Sequence, residues 1–291
     1  MTQLCDQKDD VIADFDIEEN IRDLTDDEVA RFWQDGYVHA PSLMTPFLAD
    51  EVLRRARELM GDQAEVITGG GGGDPLLEHF QAILRNFLGA WKKDPLLYAI
   101  SHSQVIGRNA SRLMRGAPVR FMNDEILVKI PTDKGGKATP FHQDFPHASF
   151  DRSALINLWF ALVELPPEKG AMRFLTGSHR AGPMGRTLLS TSDVVEQYPY
   201  LLEAYPLSAP LHMHPGDATI HGDLTIHGGP ANKAASSRWA YLVNVFDARA
   251  RNAGGPSYGE PVEGVQPNAL FDTPRYPLIH SGRLDVFGKT G

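Results

Sequence analysis

His142 and Asp144 stand two residues apart in the middle of the chain, and His227 follows far downstream. On an extended strand, side chains at i and i+2 share a face with Cα atoms about 6.5–7 Å apart. An imidazole and a carboxylate so placed can bind one metal ion while a third ligand arrives from elsewhere. Two histidines and one carboxylate cover one face of an octahedron and leave three positions open. That arrangement suits non-haem Fe(II) and the activation of dioxygen.

His-x-Asp alone is a poor signal: with 11 histidines, about one match is expected by chance. The chain holds a second, His221-Gly222-Asp223. Context separates the two. His142 follows a strand and precedes a long β run, with His227 still to come. His221 sits in a glycine-flanked bend, so Asp223 reads as a turn residue and His221 as a wall of the site. Eleven residues after His227, Arg238 enters the apolar strand WAYLVNVF. Burying a guanidinium there is costly without an anion to hold, and its planar fork grips a carboxylate with two parallel hydrogen bonds. A clamp for a dicarboxylic cosubstrate is the functional reading, and a strand-edge or salt-bridged arginine the structural one; the His/Asp/His set favours the clamp.

The elements that must position these groups fall into two textures. Thr25 and Glu28 form a capping box for a first helix, with Val29, Phe32 and Trp33 on one face, ended by Gly36. The strand YVHA follows, then a helix opened by Thr45-Pro46 and running to about Met60. Asp94-Pro95 starts another helix, which Gly116 ends. From Val119 the chain turns into short β-branched and aromatic runs separated by Gly/Pro turns, the pattern of a β-sandwich or barrel. We expect an acidic tail over 1–23, a helical part over 24–117, a β core over 118–247 and an irregular segment over 248–291, the last three forming one domain. Residues 61–75 and 181–206 read as lids, the second with one short helix. The run Gly69–Gly73 has no following Gly-Lys-Ser/Thr and reads as a flexible loop rather than a phosphate cradle.

A net charge of −9 disfavours nucleic acid as a partner. The single cysteine, Cys5, excludes an internal disulfide and any Cys-based metal site. A polar, acidic start and the lack of a long apolar run point to a cytoplasmic protein without a membrane span.

Several motifs in order resemble the phytanoyl-CoA dioxygenase-like members of the Fe(II)/2-oxoglutarate-dependent oxygenases. They are FWQDGYVHA, ILVKIPTDKGGKATPFHQDF, GAMRFLTGSHR and HPGDATIHGDLTIHGGPANKAASSRWAYLVNV, which lie within residues 24–247. The resemblance implies a mainly β fold with flanking helices around a double-stranded β-helix, the jelly-roll or cupin-like core. It implies Fe(II) on His142, Asp144 and His227, Arg238 on the C5 carboxylate of 2-oxoglutarate, and O₂ as oxidant. Lys129, Leu127, Trp159 and Gln143 would line the cosubstrate pocket, and Asn232 would hold the loop after His227. Gly229 departs from a serine found in some members. His147, Arg152 and Arg180 are expected on the substrate side, with Arg120 and Arg186 as further anion partners. His179, His212 and His214 read as structural.

The expected activity is hydroxylation of an unactivated C–H bond in a small molecule such as a natural-product intermediate, an amino-acid derivative or an acyl compound. Succinate and CO₂ would be released. Halogenation is disfavoured because Asp144 keeps the carboxylate that related halogenases lack. The alternatives are a cupin-like isomerase without 2-oxoglutarate and a non-enzymatic ligand-binding sandwich.

Overall fold

The computed structural model describes residues 16–65, 82–185, 193–257 and 261–282. Cys5, the five-glycine run, Arg186 and residues 1–15 lie outside the described residues. Ordered chain begins before Leu24. Asp16 caps α1 (Ile17–Asn20), Ile17 and Ile21 are buried, and the Glu18 carboxylate accepts from Val105 N at 2.8 Å. Residues 16–23 are therefore docked, because two isoleucines in that acidic stretch find the core.

Helix α2 (Asp26–Asp35) carries the expected capping box and stops at Gly36, whose φ of 84° suits only glycine well. Val29 and Phe32 are buried, but Trp33 is exposed, donating to Leu113 O with Arg115 stacked on its ring. After β1 (Tyr37–Ala40), α3 (Pro46–Met60) starts on its proline. Where one helix was expected after Asp94, there are two, α4 (Pro95–Ser101) and α5 (Gln104–Leu113). The break comes because Ser103 adopts an extended conformation and its hydroxyl caps Ile106 N.

The β core is two antiparallel sheets. The larger has the order β1, β7 (Ala218–Gly222), β5 (Leu155–Ala161), β9 (Arg238–Asp247) and β3 (Val119–Lys129), with β2 (Arg85–Leu88) and β10 (Leu278–His280) both against β3. The smaller is β4 (Thr139–His142), β8 (His227–Gly229) and β6 (Arg173–Phe174), with β8 central. Alternation divides the large sheet. Ile126, Val128, Tyr241 and Val243 pack under α3, α4 and α5, whereas Leu127, Trp159 and Ala240 face the small sheet. Burial on both faces explains why β5 is apolar almost throughout. This is the jelly-roll core read from the sequence.

Two details differ from expectation. The segment after Asp247 is not wholly irregular: β10 pairs with β3, and Phe271 and Tyr276 pack on Phe246. The expected single helix of the 181–206 segment is two, α6 (Val194–Gln197) and α7 (Tyr200–Ala204), separated at Tyr198-Pro199. Residues 186–192 lie outside the described ones. Among the described residues, no helix is long and apolar enough to cross a membrane.

Candidate metal centre and carboxylate clamp

Strand register brings the histidines together. β4 and β8 pair antiparallel with His142 directly opposite His227, and the ring centroids are 4.3 Å apart. β4 ends at His142, so Asp144 is not on a continuing strand as the i, i+2 reading supposed. It takes a helical backbone conformation at the entry to a single 3₁₀ turn. The turn still aims its carboxylate at the same point: Oδ1 is 3.8 Å from His142 Nε2 and Oδ2 is 3.8 Å from His227 Nε2. One ligand atom from each residue lies within 4.8 Å of the others.

Both imidazoles are presented in the metal-binding tautomer. His142 Nδ1 faces Pro140 O at 2.8 Å and His227 Nδ1 faces Thr225 O at 3.0 Å. A carbonyl only accepts, so Nδ1 carries the proton and Nε2 turns its lone pair to the shared point. Burial holds His227 far below the usual imidazole range, which keeps it neutral. Burial alone would raise Asp144, but His227, His221 and His142 outweigh it and hold the carboxylate ionised.

A buried polar row behind the carboxylate fixes its angle. Asn157 Nδ2 donates to Asp144 Oδ2 at 2.7 Å and to His221 Nε2 at 3.2 Å, while its Oδ1 accepts from Asn244. His221, Asn157 and Asn244 are cross-strand neighbours on β7, β5 and β9. His221 Nε2 lies 3.5 Å from Asp144 Oδ2, yet its lone pair is taken by Asn157; it backs the site rather than completing it. It belongs to β7, not a bend. Asp223 accepts from Ser153 Oγ and from the backbone of Ala154 and Leu155, which makes it a structural anchor. Asn157 and Asn244 escaped the sequence reading, although an asparagine within each of the apolar runs LINLWFAL and WAYLVNVF was the available signal.

Arg238 is 3% exposed, with its guanidinium 5.2 Å from the Trp159 ring. Nη1 donates to Gly170 O, Nε has no partner, and no carboxylate pairs with it among the described residues. Burial pushes its pKa down to about 10. Lys129 lies directly across from it and is fully buried, donating to Thr139 Oγ1 at 2.7 Å. Burial and then Arg238 push Lys129 far below the usual lysine range. A guanidinium and an amine buried side by side are expensive to keep charged unless an anion joins them. A Cβ built on Gly229, two residues past His227, would sit 3.9 Å from Arg238 Nη1, so Arg238 adjoins the strand of the second histidine. Leu127 and Trp159 wall the space between. Asn232 holds the loop as expected, donating to Lys129 O and Ser236 O. Glu125, half-buried on the same strand face as Leu127 and Lys129, is a further group that the sequence reading missed; burial pushes it up to about 7.

Other expected site residues are engaged elsewhere. Gln143 does not face the pocket: it is buried, donates to Gly182 O and Leu224 O, and accepts from Met184 N. Arg152 is exposed and paired with Asp151. Arg180 is exposed and donates to Gln34 O at the end of α2. Arg120 is held by Tyr276 O and Asp272. His147 is buried in the 3₁₀ turn after Asp144. His179 packs against Gly36, the turn role expected.

A family model described as phytanoyl-CoA dioxygenase (PhyH) matches residues 32–240, a span that contains every group of the triad and the clamp. The chain belongs to this family. It is 29% identical over 156 residues to a phytanoyl-CoA dioxygenase of Arabidopsis thaliana, a match covering 53% of this chain and 54% of that one. The chain thus spans about half the length of the first curated relatives it matches. Among solved structures it resembles the non-heme alpha ketoglutarate dependent carbocyclase SnoK from nogalamycin biosynthesis, with a TM-score of 0.70 and 26% identity. That likeness covers 88% of this chain and 96% of the other. It also resembles the epimerase SnoN in complex with Fe3+, alpha ketoglutarate and nogalamycin RO, with a TM-score of 0.69 and 26% identity over 87% and 98% of the two chains.

Proposed function

We propose that this PhyH-family chain is an iron- and 2-oxoglutarate-dependent oxygenase that hydroxylates an unactivated C–H bond of a small molecule, releasing succinate and CO₂. The observation that carries the reading is the pairing of a His/Asp/His donor set with a buried, anion-free Arg238 beside the same strand. The donor set fits iron: two neutral imidazoles and a carboxylate, each oriented by a second hydrogen bond. His142, Asp144 and His227 would hold Fe(II). Arg238, with Lys129 beside it, would take the far carboxylate of 2-oxoglutarate. Iron and cosubstrate together supply the activation of dioxygen.

The chain's own residues perform the positioning. Asn157 sets the carboxylate angle, Trp159 and Leu127 exclude water along the cosubstrate, and Glu125 offers the substrate a hydrogen-bond acceptor. Hydroxylation is the outcome proposed because it needs no protein group beyond these. Ring closure and epimerisation are the activities named for the two similar structures, and product analysis separates them from hydroxylation. Asp144 retains the carboxylate, which leaves no ligand position vacated for a halide.

The test is anaerobic addition of Fe(II) and 2-oxoglutarate to the purified chain. A weak visible charge-transfer band should appear in the wild type, vanish in Asp144→Ala and weaken in Arg238→Ala. A band that survives Asp144→Ala would overturn the assignment. A succinate-formation screen across compound classes, read by mass spectrometry, then identifies the substrate and product.

A further inference from the structure

His212 and His214 form a second cluster of donors with Glu164, at a part of the surface that the proposed reaction does not use. Each Glu164 oxygen is held by one imidazole: Oε1 lies 2.5 Å from His212 Nε2 and Oε2 lies 2.9 Å from His214 Nδ1. The ring centroids are 5.1 Å apart, and one ligand atom from each residue lies within 4.8 Å of the others. All three side chains are about half or more exposed, so a hydrated ion can reach them.

The backbone presets this geometry. Leu165 and Met213 exchange both N–H···O bonds, at 2.8 and 3.1 Å, as a short antiparallel bridge. The next pair outward, Glu164 and His214, is then directly opposed at the closer, non-hydrogen-bonded spacing, and His212 lies on its diagonal. Leu165 and Met213 point inward and are fully buried, which fixes the outward face of their neighbours. The loop after His214 is pinned as well. Asp217 accepts from His214 N at 2.8 Å and from Ser42 N at 2.7 Å. A Cβ at Gly216 would fall 2.2 Å from Met44 O, so that loop lies tight against the chain before α3.

We propose that Glu164, His212 and His214 constitute a second, solvent-open metal site that takes a divalent ion of the zinc, nickel or copper class. Two imidazoles and one carboxylate match the ligand preferences of these ions, and three protein ligands leave positions for water. Ligand atoms around such an ion sit about 3.3 Å apart, so each Glu164–imidazole separation widens by less than an ångström to admit it. Rotation of three exposed side chains supplies that movement without disturbing the bridge. The bound ion cross-links the chain after β5 to the chain before β7, closing the end of the large sheet where Ala161 meets Asp217.

The experiment is calorimetric titration of the metal-stripped full chain with zinc chloride. The wild type should bind two equivalents. The His212→Ala/His214→Ala protein should lose one and keep the other, and the retained equivalent shows that it is folded. In an Asp144→Ala/His227→Ala background, the surface equivalent should remain, and Cu(II) there should show electron paramagnetic hyperfine structure from two nitrogens. Failure of the barrel to bind zinc leaves this second arm intact, so the two assignments are separable. Zinc binding unchanged by the surface double substitution, or no surface equivalent below millimolar zinc, would refute the proposal.

Discussion

Lys129 and Arg238 face each other across β3 and β9, both buried, with no acidic side chain paired to either among the described residues. On the proposed reading, keeping both groups charged costs the ligand-free protein stability, and a bound dicarboxylate would relieve that cost. Arg238→Met should therefore raise the KM for 2-oxoglutarate by on the order of 10²-fold, the cost of losing a buried charge-assisted contact of about 3 kcal/mol. Lys129→Met should weaken cosubstrate binding less while raising the thermal midpoint of the ligand-free chain. Titration of 2-oxoglutarate and a melting curve on the same samples read both effects. A lower ligand-free midpoint for Lys129→Met would contradict the repulsion.

Asn157 spends both amide hydrogens on the site, one on Asp144 and one on His221. Asn157→Leu keeps the side-chain size but frees the carboxylate to rotate and strands Asn244. Iron affinity should fall by about 10- to 100-fold, the usual effect of removing an orienting partner of a metal ligand. Competition with a fluorescent chelator measures it. Unaltered affinity would mean the turn at Asp144 alone sets the angle.

The legibility of the site tracks residue chemistry rather than position. His142, Asp144, His227 and Arg238 could be read because imidazole, carboxylate and guanidinium are costly to bury idly, and three of them fall at strand positions. Gln143 was misread because a buried glutamine between two ligands looks like a pocket group. The carbonyls of Gly182 and Leu224 and the amide of Met184 use its capacity instead. Asn157 is the converse, an ordinary residue whose role depends on a register between β5, β7 and β9 that no local pattern encodes. The helix break at Ser103 and the strand β10 likewise depend on long-range packing. The jelly-roll itself was readable from strand texture together with the ordered motifs.

Gln143 gives a direct check on that misreading. Gln143→Leu should leave the KM for 2-oxoglutarate unchanged and lower stability by about 1–3 kcal/mol, since it strands two carbonyls and an amide in the interior. Urea unfolding and steady-state kinetics separate the two effects. A raised KM with unchanged stability would restore the pocket role.

Asp124, on the helix-facing side of β3, is fully buried and accepts from Tyr241 Oη at 2.7 Å and Trp91 N at 2.9 Å. Burial pushes its pKa up to about 6 from 3.8. The fold therefore favours the protonated acid. Its stabilising contribution is complete below about pH 3.8 and is lost as pH rises to about 6, amounting to on the order of 2–3 kcal/mol. Asp124→Asn cannot titrate, so its stability relative to the wild type should improve between pH 4 and pH 7. Denaturant unfolding at the two pH values tests the sign, and a constant difference would refute the linkage.

Gly228 lies between His227 and Gly229, at the closest approach of the two strands that carry the histidines. A Cβ there would stand 2.9 Å from Thr139 O and 3.1 Å from Phe141 N, both backbone atoms of β4. No side-chain rotation can relieve that contact, so Gly228→Ala must push β4 away from β8. His142 sits at the end of β4, so the displacement reaches this proposed metal ligand directly. Iron affinity should drop together with stability, the latter by about 1–3 kcal/mol as for other overpacked positions. Gly229→Ala is the control, because its Cβ would meet nothing closer than 3.5 Å and both properties should hold. Chelator competition and melting of the two variants side by side decide it. Equal behaviour of the two would show that strand spacing does not set the distance between the histidines.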